Sequence, residues 1–273
     1  MLQAEKETEL LEKFPYNNMA EKEWVPKERD KTKKVINLYY YFGVESLNTV
    51  QKTQSVAFRK SQDNRVDEYS VAAWLQRGEN RRKEIKNIEA YDETKLKQTI
   101  PRLYDIIYNS YQDKDFFNKI VNELSRCGVI LVAEKYLEKT FINGATRWFG
   151  DNPLIQISDR GKSEDKVWFT LFHEIGHILL HGKKQQFLNM EKNEENKFER
   201  EADDFASEIL LSNDKYQDFL DQNYGKITKQ AIFEYSNMNK ILPSVLAGRL
   251  EHNGMIAYSL CPEFHRKMRV TAA

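Results

Sequence analysis

Apolar positions in the first 126 residues recur mainly at helical spacing. Val35, Leu38, Tyr39 and Phe42 share one face of segment 31–47, and Gly43 closes the run. Segment 69–77 predicts a further helix ending at Gly78. Leu96, Ile100, Leu103, Ile107 and Tyr111 mark one face of 93–111, and Pro101 places the start of that helix near Thr99. Residues 115–126 predict another helix, stopped before Gly128. The pattern then changes. Segments 128–134, 145–149 and 154–158 read as short strands, separated by turns at Asn143-Gly144 and Asp151-Asn152-Pro153. A long helix is expected from Asp165 to His181, closed by Gly182, and a second from Asn193 to Leu211. Two more fall at 227–237 and 243–252, the latter opened by Pro243. Helices, a small sheet and helices again predict an α+β fold. The boundary falls near residue 112, giving an N-terminal helical region (1–112) and a catalytic-looking unit (113–273).

Composition narrows the function classes. The 273 residues carry 42 Lys+Arg and 42 Asp+Glu, so no net positive field exists to attract nucleic acid. Direct nucleic-acid binding is not expected. Cys127 and Cys261 are isolated, which excludes a disulfide framework or a cysteine-type zinc site and fits a reducing compartment. Apolar runs such as Val129–Ala133 are far too short to span a membrane, and the N-terminus has no apolar signal region. The expectation is a cytoplasmic protein.

The chemistry concentrates in HEIGH, residues 173–177, on the predicted long helix. His173 and His177 are i and i+4, so both imidazoles leave one helical face about a turn apart and can share one Zn²⁺. Glu174 is then placed to act as general base toward a water at the metal. A catalytic zinc needs a third protein ligand. His181 lies roughly 12 Å along the axis from His173 at 1.5 Å per residue, too far to share the ion. It reads as a helix-end residue favoured by the dipole beside Gly182. The better source is the helix at FEREADDFASEIL, 198–210, where Ala202, Phe205, Ala206 and Ile209 form an apolar stripe. Glu199 flanks that stripe and faces inward as candidate third ligand. Glu201, on the other flank, is the alternative, and a third reading leaves Glu199 and Asp203 as solvated charges like Glu191, Glu194 and Glu195. Asp203 shares the face of Glu199 and can accept the Nδ1–H of a ligand histidine. His and carboxylate donors also suit Mn²⁺ and Fe²⁺.

At these residues the chain resembles the ImmA/IrrE family of zinc metallopeptidases. FTLFHEIGHILLH (169–181) and EREADDFASEILLS (199–212) carry the resemblance. NGATRWF (143–149), LIQISDRGKSEDKVWFTLFHE (154–174), AAWLQRGE (72–79) and ILPSVLAGRLEHNG (241–254) resemble the HigA-like antitoxin subgroup. The resemblance implies a gluzincin-like peptidase domain: a small twisted sheet on the HExxH helix, one Zn²⁺ per chain on His173, His177 and Glu199, and Glu174 as base. It implies a regulatory endopeptidase acting on a specific partner, such as a helix-turn-helix repressor or a toxin-like protein. The alternative is a non-proteolytic, antitoxin-like binding module on the same fold. Only nine residues precede the segment resembling LLEKFPY (10–16), so the family's usual N-terminal helix-turn-helix module is expected to be lacking.

Other features have plainer readings. The basic run at 76–86 reads as a solvated helix end, and Tyr39, Tyr40, Tyr41 and Phe42 as packing residues. Segment 227–252 has helix-turn-helix texture but few basic residues, which favours packing or partner docking. His252 and His265 read as surface or packing residues, and both cysteines as inert buried thiols.

Overall fold

The computed structural model describes residues 2–50, 66–86, 88–110, 113, 115–160, 163–183 and 192–268, with side chains from 197 in the last range. The expectations for Tyr111, the boundary near 112, Glu191, Glu194 and Glu195 lie outside what is described. Short helices α1 (Leu2–Lys6) and α2 (Tyr16–Glu21) lead into α3 (Lys31–Phe42). Then follow α4 (Glu68–Glu84), α5 (Glu93–Tyr108) and α6 (Phe116–Ser125). Strands β1 (Ile130–Glu134), β2 (Gly144–Phe149) and β3 (Asn152–Ser158) precede α7 (Glu164–Gly176). The chain continues as a π turn over His177–His181. It ends in α8 (Lys192–Leu210), α9 (Asn213–Gln222), α10 (Lys229–Asn239) and α11 (Pro243–His252). The α+β class is as expected. Among the described residues, no helix is long and apolar enough to cross a membrane.

Helix starts follow local chemistry. Asp30, Asp67, Asp92 and Thr228 each accept a backbone N–H from the first turn they precede. Two expected boundaries are corrected. The helix predicted to end at Gly78 runs on to Glu84, because Gly78 is a contact point and not a stop: a Cβ there would lie 2.0 Å from Gln156 Oε1. The helix expected to start near Thr99 starts at Glu93, with Pro101 inside it. Pro101 and Lys97, four residues before it, lie on the exposed side, while Leu96, Leu103 and Ile107 are fully buried. Burying that stripe outweighs the roughly 3 kcal/mol that an interior proline costs.

The strands form one sheet in the order β1-β3-β2 among the described residues. β3 is central, parallel to β1 and antiparallel to β2. Alternation sorts the two faces. Leu131, Ala133, Ile155 and Ile157 enter the large core under α7, together with the apolar stripes of α5 and α6. Ile130, Val132 and Leu154 point the other way, toward the side covered by α4. Gln156 also faces α4; fully buried, it donates from Nε2 to the Trp74 carbonyl at 2.7 Å. Arg147 on β2 reaches the Leu75 carbonyl of the same helix at 2.6 Å. A second core, containing Val35, Leu38, Phe42, Trp74 and Leu137, lies among α1–α4.

Buried Glu7 ties the N-terminal turns to α3 and the segment after it. Its carboxylate accepts from Ser46 Oγ at 2.6 Å, Gln3 Nε2 at 2.7 Å, the Leu47 N–H at 2.8 Å and the Tyr39 hydroxyl at 2.9 Å. Burial pushes its pKa up, but these donors together outweigh burial and hold it below the ordinary 4.5. A depressed carboxylate contributes stability above its unfolded pKa that is lost as pH falls through the folded value. Glu7→Gln is therefore expected to cost about 1–3 kcal/mol at pH 7. The gap from wild type should narrow as pH falls below 4.5, read from denaturant melts at pH 7 and pH 4. A gap independent of pH would refute this.

Candidate metal centre

α7 and α8 cross closely because the contact residues are small. A Cβ on Gly176 would lie 3.3 Å from Ala202 Cα, and Ala202 and Ala206 are fully buried. This approach carries Glu199 to the two histidines of the HEIGH segment. Glu199 Oε2 is 3.2 Å from His173 Nε2, and its Oε1 is 3.5 Å from His177 Nε2. The two Nε2 atoms are 2.9 Å apart. His173, His177 and Glu199 each offer a ligand atom, all within 4.8 Å of one another. The donor set fits a cation. Asp203 Oδ1 lies 2.8 Å from His173 Nδ1, and a carboxylate there only accepts. His173 therefore keeps its proton on Nδ1 when neutral and presents a bare Nε2 to the shared point.

The surrounding carboxylates favour protonation of His173. Burial alone would lower the His173 pKa, but hydrogen bonds to Asp203 and Glu199 and the nearby Glu174 charge outweigh it, raising it to about 9. The cluster thus favours a positive charge, and His173, His177 and Glu199 would hold a metal ion in place of that proton.

Glu174 is buried on the side of α7 that faces β2. Thr146 Oγ1 donates to its Oε2 at 2.7 Å. On the same face of β2, Gly144 leaves space: a Cβ there would lie 2.7 Å from Glu174 Oε1. One carboxylate oxygen is thus anchored by a strand hydroxyl and the other lies over a residue without a side chain. Thr146 was not among the sequence candidates. Strand alternation groups Gly144, Thr146 and Trp148 on one face, but nothing local shows that this face meets α7.

His181 differs from the expectation of a dipole-favoured helix end. It is 4% exposed, and its ring stacks on Phe198 at 4.3 Å between centroids. Its Nδ1 is 3.0 Å from His177 Nδ1, and its Nε2 is 3.0 Å from Glu201 Oε2. Burial lowers its pKa, with the Glu201 hydrogen bond opposing. Glu201 thus meets His181 and is not part of the converging group. Elsewhere, His265 is a packing residue, with Nε2 2.9 Å from Glu251 Oε1 and its ring stacked on Tyr258. The run at 76–86 is largely helical, and Arg77 and Arg81 pair with the buried Glu134, a structural role for two of its charges. Tyr41 and Phe42 are buried while Tyr40 is exposed. Both cysteines are buried and unpaired.

No curated protein matches the chain. Residues 130–238, which run from β1 through α10 and contain His173, Glu174, His177 and Glu199, match the family model Peptidase_M78, the IrrE N-terminal-like domain.

Proposed function

We propose that the protein is a zinc-dependent endopeptidase whose ligands are His173, His177 and Glu199 and whose general base is Glu174. The observation that carries this reading is the convergence of two imidazole Nε2 atoms and a carboxylate beside a second carboxylate held by Thr146. The match to a peptidase family model supports it. Zinc, when bound, supplies Lewis acidity toward a peptide carbonyl and toward water. Glu174 takes the proton of the attacking water and returns it to the departing amine nitrogen. Thr146 holds that carboxylate in place. Asp203 fixes the His173 ring. The substrate we propose is one cytoplasmic regulatory partner, a helix-turn-helix repressor or a toxin-like protein, following the family resemblance.

Mass spectrometry of natively purified protein tests the centre. About one zinc per chain is expected, lost in His173→Ala and in Glu199→Ala. A wild type that takes up no zinc, even when zinc is offered, sinks the hydrolase reading.

A further inference from the structure

We propose that His181 and Glu201 form a positioning relay for His177, the counterpart of Asp203 on His173. This deepens the metal-centre reading and rests on it. The relay begins with the backbone. After Gly176 the chain leaves α-helical geometry for a π turn over His177–His181, closed by the Gly182 N–H on the carbonyls of His177 and Ile178. Such turns are uncommon and cluster at functional sites. Here the turn holds two imidazoles, each with a side chain 1% exposed, with their Nδ1 atoms facing at 3.0 Å. One of the two must donate and the other accept.

Glu201 decides which. Its Oε2 lies 3.0 Å from His181 Nε2, and its Oε1 lies 3.6 Å from Lys197 Nζ. A carboxylate accepts, so His181 carries its proton on Nε2. Neutral His181 then has a bare Nδ1, which can only accept. His177 must therefore donate from Nδ1, leaving its Nε2 lone pair toward His173 and Glu199. The chain of requirements runs from the partly exposed Glu201 carboxylate, through a buried ring, to the ligand atom of His177. The Phe198 stack fixes the orientation of the intermediate ring. Each candidate histidine ligand thus answers to one carboxylate of α8, His173 directly and His177 through His181. An arrangement that only filled space would not need this tautomeric match.

The test uses the full chain, with zinc affinity measured by competition against a chromogenic chelator. His181→Phe keeps the ring stack and removes the acceptor; it is expected to weaken zinc binding about 10–100-fold. His181→Asn places an amide oxygen near the Nδ1 position and should restore most of the loss. Glu201→Gln should fall between wild type and His181→Phe. Histidine ¹⁵N shifts of the metal-free wild type should show His177 protonated on Nδ1, a measurement that needs neither a variant nor a metal. Zinc affinity unchanged in His181→Phe overturns the relay, as does a wild-type His177 protonated on Nε2 alone. A wild type that binds no zinc instead overturns the metal-centre reading, while the ¹⁵N shifts still report on the relay.

Discussion

Glu174→Gln is expected to lower turnover of any peptide the wild type cleaves by about 10²–10⁴-fold, the usual contribution of a positioned general base. The amide keeps the size of the side chain and can still accept from Thr146 Oγ1, so the fold should stand. It cannot take up a proton. Because Glu174 is outside the converging group of His173, His177 and Glu199, zinc content should remain at about one ion per chain. The pairing of retained metal with lost turnover separates a base from a ligand. Candidate regulators incubated with wild type and variant, followed by mass spectrometry of fragments, provide the readout. Equal fragmentation by both would remove Glu174 from the mechanism.

The largest effect on stability should come from Phe172→Ala. Phe172 is fully buried in the large core and precedes His173 on α7. Truncating a buried phenylalanine costs about 3–5 kcal/mol, because the cavity adds to the lost transfer energy. Phe172→Leu should cost markedly less, since more of the volume is retained. Denaturant unfolding monitored by circular dichroism checks both. A loss under 1 kcal/mol for Phe172→Ala would mean that the helix carrying the HEIGH segment is not anchored by this core.

What could be read from the sequence divides by range of interaction. α3, α6, α7, α8, α10 and α11 announce themselves through periodicity and local caps, so their positions follow within a few residues. The HEIGH segment is equally local. The inward position of Glu199 is also legible, because the apolar stripe of its own helix sets the direction in which it points. Boundaries failed where tertiary contact overrides local preference. Gly78 continues a helix because Gln156 packs against it, and Pro101 is tolerated because its helix buries three residues on the opposite side. Short α1 and α2 offer too few turns for a period to emerge, and the sequence reading places no helix at α9. Thr146 and His181 could not be assigned for the same physical reason. One depends on which strand face meets α7, and the other on a backbone turn that no residue in HILLH advertises.

The buried Gln156 has a consequence for fidelity. It is a polar side chain on the central strand, and its neighbours Ile155 and Ile157 face the opposite core. A slip of β3 by one residue would press an isoleucine against the Trp74 carbonyl and strand the glutamine amide in hydrocarbon, two errors at once. The register that avoids them pairs Ile155 with Thr146, and thereby sets the hydroxyl opposite Glu174. A residue on the face of the sheet away from the candidate metal centre thus acts as the gauge against which the Glu174 carboxylate is aligned.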